Sequence, residues 1–171
     1  MLDWFFNRAE SRRKASELYG AVVTFARRPV LYEAIGVADT PEGRYEMLVL
    51  HLFLVMERLR AAGEVAAQQS QSLLEAFVTD LDDNMREMGI GDLTVPKKVK
   101  KAAAAFYDRA EVYRAAMAGG DTELADLLAR LIPAAAGRTL DAAALAADIR
   151  SQAVKLKAQP LDSVLAGNLP E

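Results

Sequence analysis

The sequence predicts an all-α protein folded as a single compact bundle of about six to eight helices. Three observations lead there. Apolar residues recur at i, i+3, i+4 and i+7 in one segment after another, which is the spacing of a single helix face. No run of alternating apolar and polar residues bounded by turns asks for a strand. Hydrophobic residues fill 52% of the 171 positions while glycine and proline number only 10 and 6, so the chain is rich in helix formers and poor in breakers. This length supports one domain with a sizeable core.

The elements follow in order. Residues 2–7 carry Trp4, Phe5 and Phe6, with Arg8, Arg12, Arg13 and Lys14 behind them. They read as a short helix folding its aromatics onto the domain. The sharper alternative is a membrane anchor, with rings at headgroup level and cations on anionic lipid, although Asp3 and Glu10 work against it. Ser11 is expected to cap the next helix, whose inward face is Ala15, Leu18, Tyr19, Val22 and Ala26 and whose end is Arg27-Arg28-Pro29. A short helix over residues 31–35 is closed by Gly36. Thr40-Pro41-Glu42 is a start signal, with a cap, a proline at the first position and an acid in the first turn. The helix it opens is expected to reach Ala62, before Gly63. Tyr45, Leu48, Leu52, Val55, Met56 and Leu59 form its main stripe, and Met47, Leu50, Phe53 and Leu54 extend the apolar cover around most of it, so it should be central.

Residues 65–88 form the next helix, with Leu74, Phe77, Val78, Leu81, Met85 and Met88 as its stripe. Another is expected over residues 95–118, buried along Val99, Ala103, Phe106, Ala110, Tyr113 and Met117. Gly119-Gly120 breaks it, Asp121 caps a helix carrying Leu124, Leu127, Leu128 and Leu131, and Pro133 follows. Thr139 is expected to cap a last helix facing inward through Leu145, Ile149, Ala153 and Leu156, with residues 161–171 beyond Pro160 as a tail. The organisation is then an aromatic and basic segment over 1–10, a helical domain over 11–132, and an alanine-rich helix and tail over 133–171, packed on or extending from that domain.

The residue types exclude much chemistry. There is no cysteine, which removes disulfides, thiol catalysis and cysteine-bound zinc. His51 is the only histidine, so a multi-histidine metal site is impossible. Gly89-Ile90-Gly91 is too short for a dinucleotide fingerprint, and neither a phosphate loop nor a nucleophile elbow is present. Asp80, Asp82, Asp83 and Glu87 are closely spaced but lack the calcium-loop pattern, so they read as solvated acids. Neither metal nor cofactor is expected. The net charge of −3 makes a general DNA binder a poor fit, and any basic site must be local. No apolar run reaches the roughly 18 residues of a membrane span, and the cations follow the first apolar stretch instead of preceding it. A soluble protein on the cytoplasmic side is expected.

Two constellations stand out. Arg44, His51 and Arg58 lie seven residues apart on one helical line, which is either a small anion pocket or a hydrogen-bonded histidine at the core edge flanked by surface arginines. The second is the connection over residues 82–101. Arg86, Gly89, Gly91 and Asp92 shape a turn, Pro96 helps restart a helix, and Lys97, Lys98, Lys100 and Lys101 crowd its first two turns. Cations there oppose the positive end of the helix dipole, at roughly 0.3–1 kcal/mol each at low salt. Helical phase turns the lysines away from the buried face. They are either a solvated face or a docking patch.

Residues 18–59 and 80–113 resemble the ubiquinol–cytochrome c chaperone family. The matching words are Arg28-Pro29 with Tyr32, Gly36-Val37, Asp39-Thr40, Gly43-Arg44, Leu50-His51, Arg86-Glu87 with Gly89, Gly91-Asp92 and Val95-Pro96-Lys97. They are ordered across roughly residues 13–132, and Asp108 departs from the glycine expected there. The resemblance implies a non-catalytic, bacterial assembly chaperone for the bc1 complex. It would bind newly made cytochrome b at the inner face of the cytoplasmic membrane, with an anionic membrane surface, the ribosome and a small partner subunit as further contacts. A client of apolar helices needs an apolar groove, for which Met47, Leu50 and Leu54, with Arg44, His51 and Arg58 nearby, are the candidates if other helices leave them uncovered. A helical adaptor for another protein, or a small enzyme using the Arg44–His51–Arg58 line, are the alternatives.

Overall fold

The computed structural model describes residues 2–87 and 95–170, with the side chains of residues 2–9, Val95 and Val99 left aside. Its first helix, α1, runs unbroken over Leu2–Ala26. The expected separate N-terminal helix and Ser11 cap are therefore corrected. No glycine or proline interrupts residues 2–19, and Ser11 sits inside the helix with its Oγ 3.4 Å from that of Ser72. After Arg28, Pro29 opens the short α2, Pro29–Glu33, and Gly36 turns the chain at φ 89°.

α3 spans Pro41–Arg60, and the Thr40 side chain caps it by accepting from Gly43 N. A Cβ on Gly43 would collide with the Ala38 carbonyl, so only glycine permits this close entry. A 3-10 turn, Gly63–Ala66, leads into α4, Ala67–Glu87. α5 covers Val95–Ala118 and α6 covers Asp121–Leu131. Gly120, not Asp121, is the N-cap of α6, which places Asp121 and Glu123 in the first turn where they suit the dipole. α7, Ala142–Ala158, is capped by Asp141, whose carboxylate accepts from Ala144 N at 2.9 Å, and not by Thr139. The expected tail contains a further short helix, α8, Leu161–Leu165, which buries Val164. Nearby, Gly167 comes so close to α1 that a Cβ would meet Ala21 at 3.3 Å.

The direction of the helices follows from their contacts. Ser11 meets Ser72, and Tyr19 donates to Asp80 at 2.7 Å, so α1 and α4 run parallel with a constant offset of 61 residues. Glu46 meets Arg109, Phe53 packs on Tyr113 and Glu57 meets Arg114, so α3 and α5 also share a direction. The short 3-10 turn folds α4 back against α3, and α5 returns along α4 with Phe77 on Phe106. α3 occupies the middle of the bundle: Val49 through Val55 are all buried, and one hydrophobic cluster joins them to α1, α4, α5, α6, α7 and Val164 of α8. The linker after α2 is fastened to the segment after α6 by an isolated antiparallel bridge, Val37–Ala134, with Ala38 N donating to Pro133 O and Ala135 N to Gly36 O at 2.9 Å.

Arginines complete several helix ends. Arg58 donates to the Leu156 and Gln159 carbonyls behind α7, and Arg138 to Tyr32, Glu33 and Ala34 at the end of α2. Arg150 gathers the carbonyls of Ala116, Met117, Gly119 and Gly120 behind α5. Each brings positive charge to a carbonyl-rich end, the arrangement the helix dipole favours.

Candidate functional site

The expected client groove on α3 is closed. Met47 and Leu50 have no exposed surface and Leu54 only 3%, so these side chains form core and not a surface channel. The reason is topological. α3 is apolar on most sides because α1, α4, α5 and α7 all pack around it, so its apolar side chains are consumed by the fold itself.

The Arg44–His51–Arg58 line does not converge on a pocket. Arg44 lies exposed at the start of α3 and pairs with Asp39 at 2.6 Å. Arg58 is committed to the α7 carbonyls. His51 is buried between them, edge-on to the Phe25 ring at 4.7 Å between centroids. Its Nδ1 lies 2.8 Å from the Met47 carbonyl, which can only accept, so Nδ1 carries the proton and Nε2 is left as a bare acceptor. Burial drives its pKa down to about 4 and outweighs the opposing Met47 hydrogen bond. Close by, Arg28 forks onto Asp148, with contacts of 2.5 and 3.1 Å, and this ion pair ties the junction of α1 and α2 to α7. Burial would raise the pKa of Asp148, but the hydrogen bond and charge of Arg28, with smaller help from Gln152, together hold it below the usual carboxylate value. These residues hold the core together.

The connection over residues 82–101 has a different character. Gly89, Gly91 and Asp92 lie outside the described residues. Before them, Arg86 pairs with Asp82 at 2.7 Å along the α4 surface. After them, Pro96, Lys97, Lys98, Lys100 and Lys101 are all exposed in the first turns of α5. Among the described residues, none of these four lysines forms an ion pair. Several other cations are paired: Arg109 with Glu46, Arg114 with Glu57 and Glu111, Arg28 with Asp148. The lysine corner is thus a concentration of exposed positive charge at the start of α5.

Between α1 and α4 lies an open groove of about 850 Å³. Its apolar lining is Leu74, Ala76 and Val78, which are only half-buried, and its charged lining is Arg12, Glu75, Asp80 and Asp83. Tyr19 crosses its floor to Asp80, and burial and that carboxylate together push the phenol pKa upward. The sequence reading missed this groove. It placed Leu74, Phe77 and Val78 on the buried stripe of α4; the structure buries Phe77 as expected, with Leu73 beside it, and leaves Leu74 and Val78 half-buried. Nothing local signals a groove made by two parallel segments 61 residues apart. Trp4, Phe5 and Phe6 lie in the first turns of α1, and so at the end of the α1–α4 pair away from the lysine corner. No helix among the described residues is long and apolar enough to cross a membrane.

Comparison with known proteins completes the picture. The family described as "Ubiquinol-cytochrome C chaperone" matches residues 33–170. A solved structure titled "Crystal structure of the Cbp3 homolog from Brucella abortus" is 32% identical, covers 98% of this chain and 94% of its own, and superposes with a TM-score of 0.80. A search of curated proteins finds no match. The family match runs through α7 and α8, well past residue 132, where the sequence resemblance stopped. With most of its length inside that match, the chain belongs to the ubiquinol–cytochrome c chaperone family.

Proposed function

We propose that this protein is a non-catalytic assembly chaperone whose client is newly made cytochrome b of the bc1 complex, and that it works at the inner face of the cytoplasmic membrane. Family membership supports the chaperone role. The observation that carries the docking mode is the exposed cluster Lys97, Lys98, Lys100 and Lys101, unpaired among the described residues at one end of the bundle. Each lysine near an anionic leaflet is worth about 1 kcal/mol, so four give a usable but reversible attachment. Arg86 and Pro96 flank and orient the cluster, and Gly89, Gly91 and Asp92 belong to the same connection.

The lysine end and the aromatic end are alternatives on a flat surface. From Trp4 to Ala26, α1 rises about 33 Å at 1.5 Å per residue, and α4 runs parallel to it toward the lysines. In an upright bundle one end faces the bilayer, and on this reading it is the lysine end. Trp4, Phe5 and Phe6 then take no part in the attachment.

Crosslinking in the native organism tests the client. Recovery of cytochrome b on the chaperone is expected, and its consistent absence rejects the assignment. Co-sedimentation with anionic vesicles tests the docking. Changing the four lysines to Glu should abolish it with helicity intact, and deleting residues 2–7 should leave it unchanged. Loss of ribosome association with vesicle binding unaltered would transfer the lysines from lipid to RNA.

A further inference from the structure

We propose that the α1–α4 groove receives a short apolar segment of the client that carries lysine or arginine at its end. This rests on the reading of the protein as a chaperone for a membrane-protein client. Three features of the groove select such an occupant. First, Leu74 and Val78 pack by one side against the core and line the groove wall with the rest of their surface, only half-buried. Apolar surface left open beside a polar rim is what a helix-in-groove partner uses. Second, the lining is electrically one-sided: Glu75, Asp80 and Asp83 face a single cation, Arg12, an excess of two negative charges. Tyr19 satisfies Asp80 with a neutral O–H, which leaves that carboxylate's charge in place.

Third, the dimensions and placement match. From Ser72 to Asp83 the α4 wall rises about 16 Å, or three helical turns, so the groove holds about three turns of a partner helix and not a complete membrane span. Asp83 lies one turn before the end of α4, on the side of the lysine corner. Segments of membrane proteins that adjoin the cytoplasm carry an excess of lysine and arginine next to their apolar stretches. An apolar wall with acids supplies both complements.

Fluorescence anisotropy of the full chain with a labelled probe tests this. The probe is a synthetic leucine- and alanine-rich helical peptide of about twelve residues with two lysines at one end, and the control has glutamates in their place. The lysine peptide should bind about tenfold or more tighter than the control. The double variant Glu75→Lys/Asp83→Lys, at two exposed positions, should reverse that preference while circular dichroism confirms the fold. A photo-crosslinker at Thr79, on the groove, should capture the lysine peptide, whereas one at Val154, on the exposed face of α7, should not. Equal binding of both peptides, an unchanged preference in the double variant, or equal capture at the two positions would overturn the proposal. The cytochrome b crosslinking is scored separately: client recovery without a peptide preference rejects only the groove, and a peptide preference without client recovery rejects only the identity of the client.

Discussion

His51 in α3 and the lysines of α5 are both ionisable residues at positions local rules disfavour, and the fold treats them in opposite ways. His51 is fully enclosed, hydrogen-bonded to the turn above it, packed against Phe25 and held neutral by burial. Lys97, Lys98, Lys100 and Lys101 are left in solvent, charged against the dipole and unpaired among the described residues. The first region spends its polar group on architecture. The second tolerates a small electrostatic cost and keeps its charge available for a partner, which is where a departure from local rules points to function.

The largest test of the contrast is on the core side. Leu50→Ala removes a fully buried side chain from the middle of α3 and should lower unfolding free energy by about 3 kcal/mol in urea titrations. Because Leu50 forms no client surface, vesicle binding by the folded fraction should not change. A small stability loss with impaired client binding would reopen α3 as a groove.

A pH test comes next. His51 has its pKa lowered to about 4 in the fold, against an ordinary value of 6.5. The unfolded chain therefore takes up the proton first, and stability falls as pH drops through that interval, by about 2 kcal/mol between pH 7 and pH 5. His51→Asn retains a donor for the Met47 carbonyl and should flatten this slope. A slope that persists in the variant would place its source elsewhere. Asp148 and Glu57, both lowered by arginine partners against their own burial, contribute only further down, through and below the ordinary carboxylate range.

The smallest expected effect is on the lysine side. Replacing all four lysines by Glu should not destabilise the protein, and at low salt should raise its stability by up to about 1 kcal/mol, because acids suit a helix N-terminus. A thermal melt that falls by several degrees would mean that the lysines hold the fold together, and the contrast with His51 would collapse.

Much of the architecture was legible because each helix carries its own signals. The glycine pair after Ala118 and the Thr40-Pro41-Glu42 start lie where α5 ends and α3 begins, and the stripe of Phe106, Ala110 and Tyr113 is buried as its period requires. The errors about burial share one cause. Leu73 and Leu74 flank Phe77 equally well on a helix, and only the positions of the neighbouring helices decide which of them goes fully inward. Likewise the apolar girth of α3 showed that it would be covered, but an exposed client face required knowing which sides its neighbours leave open.

By itself, the sequence determined the helical class, most helix limits and the outward phase of the four lysines, all of which depend on residues within a few turns of one another, and its resemblance along the chain pointed to the family. Only the tertiary structure decided that His51, Arg44 and Arg58 go separate ways, that Arg28 and Asp148 tie the junction of α1 and α2 to α7, and that α1 and α4 run parallel to leave an acidic, half-apolar groove. Those outcomes depend on side chains about 60 to 120 residues apart meeting in space, and the three-dimensional packing of the helices, not any local pattern, sets which of them meet.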